Sequence, residues 1–219
     1  MKRKLLKVIA PAALWLLLWA IAARWIGKEL LLPSPAAGCL SLLGMLWEGA
    51  FWRAVGMTLA RVTGGFLVGA VLGPILGAAT AGSRWCDLLV SPAVGAVRTV
   101  PVVSFILLLY FWLPSGQVPT AVAAVMVLPV VWRSTRQGIA QADPLLLEAA
   151  DHYGLSGWKK LRLVYLPQAM EAVCAGWETA LGRAWKSGVA AEVLCQPKWA
   201  AGSGLQSAKA YLDAPGLFA

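Results

Sequence analysis

Long apolar runs separated by short polar breaks dominate this chain, and one polar stretch stands out against them. The runs fall at Val8–Ile26, Thr58–Ala81, Val102–Leu113, Val118–Trp132 and Ala169–Leu194. A helix rises about 1.5 Å per residue, so about 20 apolar residues cross ~30 Å of hydrocarbon. The pattern therefore predicts an all-α integral membrane protein, a bundle of about five transmembrane helices. The third and fourth runs are short and borrow flanking residues, which places those spans at about 99–113 and 117–133. The polar stretch is Glu148–Pro167, EAADHYGLSGWKKLRLVYLP. Its Glu148, Asp151, His152, Lys159, Lys160 and Arg162 exclude it from lipid, so it must meet water or a soluble partner.

Two regions follow from this reading. Residues 1–57 form an N-terminal anchor helix and an external interfacial segment. Residues 58–219 form the core, with spans at about 58–81, 99–113, 117–133 and 169–194, a polar loop at 134–167 and an external tail at 195–219. The first run follows Lys2, Arg3, Lys4 and Lys7 and fits either a cleavable signal peptide, with small residues at Ala20–Ala23, or a retained anchor. The anchor is preferred because the run is long enough to span and the rest of the chain is membrane-embedded. Leu32–Trp52, with Pro33, Pro35, Trp47 and Trp52, reads as a broken segment at the outer interface, where tryptophans concentrate. Ser83–Arg98 reads as a cytoplasmic loop with a short helix.

Within the second span, Gly65, Gly69, Gly73 and Gly77 recur every four residues, which puts them on one face and lets another backbone approach. The last span carries Glu178, Arg183, Lys186 and Glu192. Charges at mid-membrane cost about 2.5–3.5 kcal/mol even on the lenient insertion scale, so they face a bundle interior or a wet cavity. Arg183, Lys186 and Glu192 fit a translocation pathway, the two cations suiting an anionic solute. Equally, Lys186 fits an ion pair with Glu178, and Glu192 fits a role holding the loop beyond it.

The composition is 59% hydrophobic and 13% charged, against ~25% charged in soluble domains. The net charge of +9 does not gather into a nucleic-acid-binding stripe. It sorts by side instead: Arg84, Arg98, Arg133, Arg136, Lys159, Lys160, Arg162 and the N-terminal cluster inside, against Arg24, Lys28, Arg53, Arg61, Lys198 and Lys209 outside. By the positive-inside rule the N-terminus and the polar loop face the cytoplasm. Cys39, Cys86, Cys174 and Cys195 form no CxxC pair and His152 is the single histidine, so no metal site is expected. No GxxxxGK[ST] phosphate loop and no nucleophile–base set occurs, so neither cofactor nor catalysis is expected of this chain.

The polar stretch resembles the EAA loop of bacterial ABC-importer permeases. The resemblance rests on Glu148, Ala149 and Ala150, then Gly154, then Val164, Leu166 and Pro167 at the family's spacing, with valine at 164 where isoleucine is usual. Leu32–Pro35, the Thr58–Phe66 entry, Pro101 and Ala184–Val193 (AWKSGVAAEV) resemble the nitrate/sulfonate/taurine-type branch. The resemblance implies a multi-pass subunit of the bacterial inner membrane that pairs with a second copy. It also implies that two short helices turning at Gly154 dock on a separate cytoplasmic ABC ATPase, with an external solute-binding protein delivering the solute. It further implies that a last helix of the family is missing after Leu212, so a truncated, inactive permease serving as a membrane scaffold is the alternative.

Overall fold

A computed structural model describes residues 2–155 and 157–219; Met1, Ser156 (within the polar stretch) and the side chains of residues 2–9 and of Ala12 lie outside the described residues. Among the described residues all regular structure is helical. In chain order the helices are α1 (Lys2–Ile26), α2 (Pro35–Leu46), α3 (Gly49–Gly82), α4 (Arg84–Thr99), α5 (Val102–Trp112) and α6 (Val118–Ala140). They are followed by α7 (Pro144–His152), α8 (Trp158–Lys160), a wide π turn (Leu161–Tyr165), α9 (Leu166–Cys195), α10 (Ala201–Ala210) and α11 (Ala214–Phe218).

Local chemistry accounts for several boundaries that the apolar runs misplace. Leu32–Trp52 is broken at Leu32–Ser34 and at Trp47–Glu48, and between those breaks it forms a 12-residue helix, α2. Ser34 accepts a hydrogen bond from the Ala37 N–H at 3.2 Å and Pro35 occupies the first turn, which together start α2. The helix that carries the second span, α3, begins at Gly49, nine residues before Thr58, because nothing between Ala50 and Met57 stops a helix. Ser83 ends α3 and caps α4, accepting from the Cys86 N–H at 3.4 Å, so Ser83–Arg98 is mostly one 16-residue helix.

Helices α3 and α6 are long and apolar enough to cross a membrane, and α4 with α5, bent by 108°, count as a third crossing if taken as one broken span. Among the described residues two or three of the five expected spans are thus seen as long apolar helices. Helix α9 is also long enough, at 30 residues, but carries Glu171, Glu178, Arg183, Lys186 and Glu192.

The seam of α3 fixes the directions of the helices. A Cβ on Gly69 would lie 2.7 Å from Val127 Cβ, one on Gly73 2.7 Å from Val131 Cβ, and one on Gly77 2.7 Å from Thr135 Cβ. Numbers rise together on the two helices, so α3 and α6 run parallel and the α4–α5 pair must return the chain between them. Helix α9 runs the opposite way. A Cβ on Gly138 of α6 would meet Ala172 Cβ at 2.8 Å, and one on Gly176 of α9 would meet Ser134 Cβ at 2.8 Å.

A second stripe of small residues, Gly176, Ala180, Ala184 and Gly188, lets α9 approach α6 and α3, with Val62 filling the space at Gly188. Between the stripes lies a dry core of Val62, Ala123, Val127, Val131, Val173, Ala180 and Ala184. In lipid such close van der Waals packing replaces the hydrophobic drive that water supplies. These directions put the ends of α3 and α6 and the start of α9 at one end of the bundle, with the polar loop.

Candidate functional site

The loop between α6 and α9 is a built element. Asp143 caps α7, accepting from the Leu145 N–H at 2.9 Å, while its own N–H donates to Gln168 Oε1 at 2.7 Å and ties the loop to α9. At the other end of α7, Gly154 adopts φ +67°, its N–H donates to Asp151 O at 3.0 Å, and the Leu155 N–H reaches back to Ala150 O at 2.8 Å. This is a Schellman stop, and it needs the left-handed conformation that costs other residues about 1–2 kcal/mol. Lys160 Nζ then holds both Asp151 oxygens, at 2.7 and 2.8 Å, and pins the returning chain to α7.

The motif residues divide by exposure. Glu148, Ala149, Gly154, Leu166 and Pro167 are exposed, whereas Ala150 and Val164 are buried. Helix α7 packs against the π turn, and each of the two elements carries one of these buried residues. Tyr153 (84% exposed), Trp158 (73%) and Leu145 (73%) stand out on the loop itself. These side chains differ from the exposed leucines of the spans in lying on a polar loop.

At the same end, α4 is tied to α6. Arg136 Nη2 donates to Asp87 Oδ2 at 2.8 Å and Nη1 to Ser91 Oγ at 2.9 Å, with the guanidinium over the Trp132 ring. This tie was not read from the sequence. Its signal was present, since Asp87 is the one acidic residue between Glu48 and Asp143, where every other charged residue is an arginine.

The three charges proposed for a pathway do not sit together. Arg183 and Lys186 of α9 are exposed and line a cavity of about 270 Å³ with Val102 of α5, Met126 of α6 and Ser187. Glu192 does not line it. Among the described residues Lys186 makes no ion pair with Glu178; the pairs present are Arg61–Glu192, Arg136–Asp87 and Lys160–Asp151. Glu192 is fully buried at the far end of the bundle, where its carboxylate accepts from Thr58 Oγ1 at 2.7 Å, Arg61 Nη1 at 3.1 Å and the Gly202 N–H at 3.2 Å.

Arg61 also donates to Lys198 O at 2.9 Å and Trp199 O at 3.0 Å, and Thr58 Oγ1 accepts from the Ala201 N–H at 2.9 Å. The first turn of α10, which has no side-chain cap of its own, is thus capped from α3 and α9. Arg61, read from the sequence only as an external basic residue, is the residue that reading missed. Arg61 is the one charge in the run Thr58–Ala81, and an unmatched cation in a span calls for a carboxylate from another, the signal that could have found the pair.

A helical bundle crossing a membrane, with one polar helical hairpin at one end, is the class this fold defines. The description "binding-protein-dependent transport system inner membrane component" belongs to the family model that matches residues 65–218, and the chain belongs to that family. It is 31% identical over 173 residues to a glycine betaine/carnitine transport permease protein of Listeria monocytogenes, covering 77% of this chain and 60% of the relative. It is 29% identical to a putative aliphatic sulfonates transport permease protein of Escherichia coli, covering 85% of this chain and 70% of that protein. The chain thus spans less than two thirds of the length of the Listeria relative. A crystal structure of an amino acid ABC transporter with histidines shares the fold, with a TM-score of 0.66 over 80% of this chain and 86% of that one at 20% identity.

Proposed function

We propose that this chain is the membrane-spanning subunit of an ATP-driven importer, which receives its working stroke through the hairpin 144–165. A separate cytoplasmic ABC ATPase would grip the exposed face of α7, with Glu148 and Ala149 on it and Tyr153 and Trp158 beside it. The single observation that carries this reading is the hairpin itself: its Ala150 and Val164 buried, stopped at Gly154, and anchored to α9 through Asp143 and Gln168. A lever of this kind turns closure of two ATPases into rotation of the attached helices. The subunit works as a pair of copies, with an external solute-binding protein at the Arg61–Glu192 end.

Glu148→Ala and Gly154→Val are expected to insert normally yet lose ATP-dependent uptake by about tenfold or more, because the first removes a charged contact and the second remakes the turn. Uptake into proteoliposomes with the partner ATPase, and co-purification with it, measure this. Normal uptake by both variants would remove the hairpin from the coupling path.

The solute is small, and the Arg183–Lys186 cavity favours an anionic group such as nitrate, or the sulfonate of an alkyl sulfonate or of taurine. Lys186→Met is expected to weaken uptake of an anionic solute by about tenfold, the worth of one charge-assisted hydrogen bond, with the melting midpoint unchanged. Unaltered uptake kinetics would take Lys186 out of the pathway.

A further inference from the structure

A cavity at the root of the hairpin plays no part in the contacts described above. Its volume is about 280 Å³, and its walls include Pro74 and Ala78 of α3, Ile139 of α6, Tyr165 of the π turn, and Met170 and Val173 of α9. That size lies near the lower end of the range for small-molecule pockets, ~300–1,000 Å³. The hydroxyl of Thr135, which also faces it, is already committed to Val131 O at 2.8 Å. A cavity with so few free polar groups stays dry or takes an apolar guest.

Its depth and its basic lip point to the guest. Ala78 and Pro74 lie about 6 and 12 Å from the end of α3 at Gly82, and Val173 lies about 10 Å beyond the start of α9, by helix rise. The cavity is therefore within reach of an acyl chain whose headgroup sits at the hairpin end of these helices. Trp158, Leu161 and Leu166 are exposed at its lip, and so is Arg162. No acidic side chain lines it, and among the described residues neither Arg162 nor Lys159 has an ion pair.

We propose that this cavity binds one acyl chain of an anionic phospholipid of the cytoplasmic leaflet, with its phosphate held by Arg162 and drawn further by Lys159. Basic pockets between helices at that face suit anionic headgroups. The lipid would sit where the hairpin meets α3, α6 and α9, so the composition of the leaflet would bear on how freely the hairpin moves. The assignment of the leaflet rests on the reading above that the hairpin faces the cytoplasm.

The test reconstitutes the full chain in phosphatidylcholine vesicles that carry dibrominated phosphatidylglycerol or dibrominated phosphatidylcholine at matched mole fractions. The Trp158 fluorescence is taken as the difference between the parent chain and Trp158→Phe. Both lipids are expected to quench it, phosphatidylglycerol at about fivefold lower mole fraction, the factor one basic residue near a membrane contributes. Arg162→Gln is expected to keep the quenching and lose the preference, and Ala78→Met, which fills the cavity, to lose the quenching. Equal quenching by the two lipids, quenching by neither, or a preference that survives Arg162→Gln would overturn the proposal. Because both leaflets carry the same lipid, these results do not depend on orientation. The side of the hairpin is read separately, from the labelling that His152→Cys adds with a membrane-impermeant maleimide.

Discussion

Gly73→Leu is expected to separate α3 from α6 and cost about 3 kcal/mol or more, the upper range for overpacking a core. The reason is geometric. A Cβ at this position already falls 2.7 Å from Val131 Cβ and 3.2 Å from the Trp132 backbone nitrogen, so backbone rather than a flexible side chain would have to move. The matched control is Gly56→Leu on the same helix, where a Cβ meets nothing within 4 Å and leucine is the better helix former. The measurement is the melting midpoint in detergent, together with the fraction that elutes as a monodisperse peak. If Gly73→Leu melts with the parent while Gly56→Leu does too, the seam does not hold the helices together.

The second large effect is expected at the opposite end of the bundle. Glu192→Leu leaves Arg61, Thr58 and the Gly202 N–H buried or half-buried without their common acceptor. Removing one partner of a buried ion pair costs about 3–5 kcal/mol, because the remaining charge stays desolvated. Glu192→Gln keeps the shape and the capacity to accept from Thr58 and Gly202, so it is expected to recover part of that loss. The turn at Gln196–Trp199 should loosen first, since Gln196 (φ 44°) and Trp199 (φ 55°) are held in the left-handed region that only surrounding contacts sustain. Limited trypsin cleavage after Lys198 reads this directly, alongside the melting midpoint. A Glu192→Leu variant as stable and as protease-resistant as the parent would show that the carboxylate is not the anchor.

Parts of this architecture were legible in the chain, and the illegible parts share a cause. The spacing of Gly65, Gly69, Gly73 and Gly77 announces a close approach but not its partner. Four glycines define a face, whereas Ala123, Val127 and Val131 carry no matching mark. The stripe on α9 escaped notice because two of its four members are alanines, common in any span. Gly154 was readable as a turn, and the Asp151–Lys160 clasp that secures it was not, since it crosses the turn itself. Glu192 drew two opposed readings from the sequence, because a carboxylate in a span looks the same whether it faces a solute or a buried arginine.

The sequence by itself determined the helical, lipid-solvated character, the polar hairpin and its stop at Gly154. Each of these depends on side chains near one another along the chain, through hydrophobic run length, capping and backbone conformation. Only the tertiary structure decided that α3 and α6 run parallel, that Arg61 closes on Glu192 across 131 positions, and that a largely apolar cavity lies beneath the hairpin. Those depend on which faces meet when three helices pack, and packing has no period in sequence from which a partner could be counted.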